Sequence, residues 1–280
     1  MLACAVGAAL IAARVFALPV LVSVLATLAW APVTGAVVIG QNTPFALLLA
    51  MVAVAAIVEG RQVTAGAAAI VLLYKPTIGL PLAGLFVLRA RWRAVAWVGV
   101  GVIAWYLIGI WAAGGSWSWP STWLSTIGRW LTDDAVRNAD KAVSLPGLLS
   151  RLGLSDLAMY GAGALLVLAA LPRLARAPLR EAAAGALLVG VAASPHAWSY
   201  EAALLMPIIW WTLAGGIAEP WRTRSVVAAY VIAPLWMVSR QTIVSAVAIV
   251  VLGALVIWLS GMWRGDPSSV AGIDVGGQPA

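Results

Sequence analysis

The chain has 280 residues, 63% of them hydrophobic and only 10% charged, against the roughly 25% charged and 45–50% apolar residues of a soluble domain. With a mean hydropathy of +1.00, the apolar surface cannot all be hidden in one core of this size, which excludes a soluble globular protein and points to a polytopic membrane protein. Seventeen Lys+Arg against ten Asp+Glu give a formal charge of +7, which invites a nucleic-acid reading until the basic residues are sorted by position.

Met1 opens directly into an apolar run with no basic residue before Arg14, unlike a secretory signal. Apolar runs then recur at about 1–13, 15–39, 43–58, 63–74, 77–88, 94–113, 157–171, 181–194, 199–217, 225–238 and 241–260. They predict an all-α transmembrane bundle of about ten or eleven helices over residues 1–263. Lys75-Pro76 marks a helix end, because proline lacks a backbone donor and disfavours helix in the residue before it. Residues 114–156 form one long loop, in which Trp119, Trp123 and Trp130 approximate one helical face. That spacing predicts an amphipathic helix in the membrane interface, either an aromatic belt or a platform for a sugar or lipid-linked ligand. Residues 264–280, rich in Gly, Ser, Pro and Asp, read as a disordered cytoplasmic tail.

Charge fixes the orientation. Arg14, Arg61, Arg89, Arg91, Arg93, Arg173, Arg176, Arg180, Arg222, Arg224 and Arg264 fall on one side, eleven of the seventeen basic residues, while short loops opposite hold Lys75 and Arg240. By the positive-inside rule the arginine side is cytoplasmic, so the net charge reports topology and no nucleic-acid partner. Cys4 is the only cysteine and His196 the only histidine, which leaves neither a disulfide framework nor a metal ligand set.

Nearly every unusual polar residue then lies outside. Gln41-Asn42 before Thr43-Pro44 reads either as helix-start punctuation or as part of a site. Lys75 either snorkels to headgroups or stands beside a phosphate. His196 suits an interfacial hydrogen bond better than a metal. Glu201 starts an apolar helix, where a carboxylate suits the dipole, and an ionisable group at membrane depth is a functional hypothesis in its own right.

The order of these clusters resembles the family-87 glycosyltransferases. Gly40-Gln41-Asn42, Gly60-Arg61, Tyr74-Lys75-Pro76 and Arg89-Ala90-Arg91-Trp92-Arg93 carry the resemblance. So do Asn138 followed by Ser144-Leu145-Pro146-Gly147-Leu148-Leu149-Ser150-Arg151, and Ser194-Pro195 with Tyr200-Glu201. It runs from about Val38 to Pro207 and departs from the family in three places. Ala139-Asp140 replaces the Gln-Ser after the loop Asn, and Tyr200-Glu201 stands where some members carry a His pair. The catalytic Asp that such enzymes place in a first outer loop, behind an initial helix, has no counterpart, since no acidic residue precedes Glu59. The expectation is therefore a chain lacking that helix and loop, which also explains why Met1 comes out on the outer side.

The resemblance implies a GT-C fold that transfers a hexose, mannose by preference; the missing ligand set adds the expectation of no metal or cofactor. The donor is a polyprenyl-phosphate sugar, the acceptor a lipid-linked or glycan hydroxyl, and the place the outer face of the cell membrane. It assigns Lys75 and Arg240 to phosphate, Gln41 and Asn42 to sugar or phosphate oxygens, and Trp198 to stacking on sugar. Asn138 and His196 join the substrate-binding set; the family pattern reserves the catalytic base for the missing Asp, and Glu201 is the candidate carboxylate left to assist. Two rivals stand: an inactive relative that binds lipid as a partner protein, and a transporter, for which the expected repeated pair of broken segments is missing.

Overall fold

The apolar runs of the sequence correspond closely to helices, with 15–39 and 199–217 each divided in two. The computed structural model describes residues 1–137, 141–215, 220–235 and 242–260. Those residues form fourteen α-helices and one 3-10 helix, with no strand among them. The first seven are α1 (Leu2–Phe16), α2 (Val20–Ala29), α3 (Ala31–Val38), α4 (Thr43–Val58), α5 (Gln62–Leu72), α6 (Pro76–Leu88) and α7 (Trp92–Ala112). They are followed by α8 (Trp119–Arg137), α9 (Leu145–Arg151), α10 (Asp156–Arg176), α11 (Leu179–Ala193) and the 3-10 helix (Ser199–Leu205). The last three are α12 (Met206–Ala214), α13 (Pro220–Leu235) and α14 (Thr242–Ser260).

The all-α class is as the composition requires, and the eleven apolar runs reappear as helices or divided pairs, many of them short. Among the described residues α7 and α10 are long and apolar enough to cross a bilayer alone, and the run 15–39 is a pair, α2 and α3, bent by 65°. The bend has a local cause: Pro32 has no N–H to continue the α2 ladder, so Trp30 turns extended and caps a new helix with proline in its first turn. An apolar run reports burial in something apolar. It does not separate a lipid-facing span from a short helix enclosed by other helices.

Position in the bundle follows the pattern of each helix. α4 and α11 are apolar on nearly every side, and their small residues are buried along almost the whole length, as expected of central helices. α7 buries only Ala94 and Gly101 and exposes Trp92, Trp105 and Trp111, which places it at the rim. α11 packs on α6 where Gly190 meets the Thr77 carbonyl and Pro81, a contact that a β-carbon would block. The long segment 114–156 is largely structured, since it contains α8 and α9.

The helix ends sort by chemistry. At one end Glu59 pairs with Arg14 (2.7 Å) and Arg61 (2.5 Å), and Arg173 pairs with Glu181 and lies over the Trp258 ring (5.1 Å). There too the Arg89 guanidinium donates to the carbonyls of Leu174, Ala175 and Ala177 at 3.2, 2.9 and 2.8 Å, capping the end of α10 where a cation suits the dipole. Lys75 and the residues around it occupy the opposite end of α6.

Candidate functional site

Three chain breaks meet around Lys75. The first is the turn between α3 and α4: Gly40 takes a left-handed conformation (φ 73°), and Gln41 N–H closes on the Ala36 carbonyl at 2.8 Å, a glycine-ended helix stop that delivers Gln41, Asn42 and Thr43. The second is Lys75-Pro76, where proline opens α6 in its first turn. The third is Ser194–Glu201, where α11 ends and the 3-10 helix begins.

Lys75 Nζ donates to Thr43 Oγ1 at 3.0 Å and to Glu201 Oε1 at 3.5 Å, and lies 5.5 Å from the centre of the Tyr200 ring. The Trp198 N–H donates to Glu201 Oε2 at 3.2 Å, so Glu201 caps its own helix with one oxygen and faces the ammonium with the other. The two side chains are only 12% and 11% exposed, a burial at which an unpartnered charge costs several kcal/mol. In the turn between α5 and α6, burial pushes the Lys75 ammonium below the ordinary lysine range, with Glu201 opposing that shift.

The helix ends add to the lysine. α4 and α6 both begin beside it, and neither Asn42 nor Lys75 caps its helix with a side-chain hydrogen bond. The positive dipole ends of two helices thus lie beside one ammonium and one hydroxyl, an arrangement that suits an oxyanion although Pro44 and Pro76 each remove a first-turn N–H.

The structure places the residues singled out by sequence unequally. Lys75 and Glu201 are in contact, and Trp198 stands edge-on to Tyr200 at 5.6 Å. Gln41 and Asn42 adjoin the cluster through Thr43, and the Tyr74 hydroxyl reaches the Asn42 carbonyl at 3.5 Å. His196 is on the same segment but stacks on Trp130 of α8 (5.9 Å between rings). Asn138, Arg240 and residues 264–280 lie outside the described residues. The sequence reading missed Thr43, which is fully buried, and Tyr200. Thr43 was within reach, because a hydroxyl residue in the first turn of a helix is placed to face whatever that N-terminus binds.

The model of Glycosyltransferase family 87 matches residues 1–198. The chain belongs to glycosyltransferase family 87. The match covers all three breaks up to Trp198, beginning before the Val38 where the sequence motifs start and stopping short of Pro207. No curated protein and no solved structure matches the chain. A family of membrane glycosyltransferases implies a sugar donor, an acceptor and the lipid bilayer as partners, and the apolar helices agree with a membrane protein.

Proposed function

We propose that this family-87 chain transfers a hexose, mannose by preference, from a polyprenyl-phosphate donor to a lipid-linked or glycan acceptor at the extracytoplasmic face of the cell membrane. One observation carries the reading: a buried ammonium, Lys75, stands with the Thr43 hydroxyl where α4 and α6 begin. A phosphate leaving an oxocarbenium-like centre accumulates charge, and donors fixed in a poorly hydrated site stabilise it without reorganisation. Lys75 and Thr43 hold the phosphate, Gln41 and Asn42 bond its oxygens or those of the sugar, and Trp198 offers an apolar face to the sugar ring. Asn138, His196 and Arg240 complete the substrate-binding set. Glu201 is the candidate carboxylate for the acceptor proton, which it accepts once the donor phosphate takes over its contact with Lys75.

A second reading rests on one feature: both Glu201 oxygens are engaged, one by Lys75 and one by the Trp198 N–H. A site whose carboxylate stays occupied binds a lipid phosphate without turnover, as a partner protein would. One experiment separates the two. Purified protein in lipid vesicles is given a radiolabelled polyprenyl-phosphate hexose, and transfer and binding are measured for the parent chain and Lys75→Ala. The enzyme reading expects transfer by the parent and a loss of at least about 100-fold in the variant, the scale of removing one such donor, with membrane insertion unchanged. Lys75-dependent binding without transfer supports the partner reading, and equal activity of the two chains removes Lys75 from the site.

A further inference from the structure

α8 contributes nothing to the Lys75 cluster directly, yet its sequence is the most strongly two-faced of the molecule. Trp119, Trp123, Leu124, Ile127 and Trp130 share one side, and Ser121, Thr122, Ser125 and Arg129 the other. Trp123 is 48% exposed and Leu124 61%, so much of this apolar face touches no protein.

The geometry of the helix before it says what lies there. α7 has 21 residues, about 31 Å at 1.5 Å per residue, close to the hydrocarbon thickness of a bilayer. It exposes Val100, Val102, Ile103, Leu107 and Ile108 along its length and Trp92 and Trp111 near its ends, the pattern of a lipid-facing span with aromatic belts. After Ala112 the chain turns back, and the Trp119 indole settles on Gly109, where a β-carbon would collide with the ring. Trp119 Nε1 donates to the Tyr106 carbonyl at 3.1 Å, and the Tyr106 hydroxyl donates to the Trp117 carbonyl at 2.9 Å. The start of α8 is thus fixed level with residues three to six positions before the end of α7, which is about 5 to 9 Å below that end. This is the depth at which amphipathic helices lie at the boundary of headgroups and acyl chains.

We propose that α8 is an interfacial helix that rests on the lipid surface through Trp123 and Leu124, and that this contact steadies the Ser194–Glu201 segment. The link is physical at two points. Trp130 of α8 stacks on His196, with ring planes 29° apart. Beyond α8, Ala142 pairs with Trp198 as an isolated antiparallel bridge, and the Val143 N–H donates to the Ala197 carbonyl at 2.8 Å. Lipid therefore acts on the carboxylate side of the ion pair through an aromatic stack on one side and a backbone pairing on the other.

The test does not depend on transfer activity. Because Cys4 is the only cysteine, a Cys4→Ser chain accepts single spin labels, introduced by Leu124→Cys, Ser121→Cys, Ser125→Cys and, as a lipid-facing control, Ile103→Cys. In vesicles of phosphatidylcholine and phosphatidylglycerol, the label at 124 is expected to collide with oxygen in preference to a water-soluble nickel chelate, as the label at 103 does. The labels at 121 and 125 should show the opposite preference. A label at 124 that meets the chelate as freely as one at 121 overturns the proposal. One shielded from both reagents overturns it equally, since another protein then covers the face. For the link, Trp130→Ala is expected to speed amide hydrogen exchange of residues 194–201 several-fold in the same vesicles while Trp123→Ala, which leaves the stack intact, changes it less. Exchange unchanged by Trp130→Ala refutes transmission through the stack, and exchange unchanged by Trp123→Ala refutes the steadying by lipid.

Discussion

The two ends of the bundle use the same kinds of group and finish them differently. At the arginine end every cation described above has a fixed partner. Arg89 meets three carbonyls, Arg173 has Glu181 and the Trp258 ring, and Glu59 is shared between two guanidinium groups. The planar fork of arginine makes such closure rigid. At the other end a lysine, compact and able to turn its three donors, meets one hydroxyl and a carboxylate at the long distance of 3.5 Å. The difference separates an anchor from a binding place: at one end guanidinium groups are held by carboxylate and carbonyl partners, and at the other an ammonium stands beside two helix starts without side-chain caps.

The comparison breaks most sharply on topology, where the outcome is all or none. In a Cys4→Ser background, Asn42→Cys should react with an impermeant maleimide added to intact cells, and Arg61→Cys only after the membrane is opened. The reverse result would exchange the faces and remove the outer-face reading with them. A smaller effect sharpens the contrast in burial. Glu201→Ala strands a buried ammonium and should cost about 3 kcal/mol or more. Glu59→Ala loosens pairs whose arginine side chains are 76% and 56% exposed and should cost under about 1 kcal/mol. Thermal unfolding in detergent compares the two, and equal losses would refute the distinction. The smallest effect is in pH. Lys75 is held below the ordinary lysine range by burial, so its charge is lost as pH rises through that lowered value, and activity should fall on the alkaline side. Lys75→Arg keeps the charge, and its residual transfer should hold to higher pH. An unchanged alkaline limb would assign it to another group.

Much of this arrangement is legible in the sequence, for identifiable reasons. Lys75-Pro76 announces a helix boundary because proline cannot continue a ladder, and the helix does begin at Pro76. The arginine clusters announce one end because lipid leaves them nowhere else to go, and those with described pairings do gather there. Pro32 carries the same kind of signal inside the apolar run 15–39, and the bend between α2 and α3 falls there. Thr43 and the Trp130–His196 stack stayed hidden for another reason. Each depends on which segments become neighbours, and a pattern along one chain does not encode the pairing of residues 32 or 66 positions apart.

The bend at Trp30 also bears on what counts as a folding unit. A helix broken in apolar surroundings leaves carbonyls to be satisfied, and that of Ala26 is met by the Tyr230 hydroxyl of α13 at 2.5 Å. The Trp30 indole in turn donates to the Ala202 carbonyl at 2.9 Å, and the Trp210 indole to that of Ser23 at 3.4 Å. All three bonds join residues inside the family match to residues beyond Trp198, where that match stops. The end of the family match is therefore not an autonomous boundary: a fragment ending at Trp198 would expose the broken helix and lose all three of these hydrogen bonds. α12 and α13, outside the family description, are structural dependents of its first forty residues and should be retained in any minimal version of the protein.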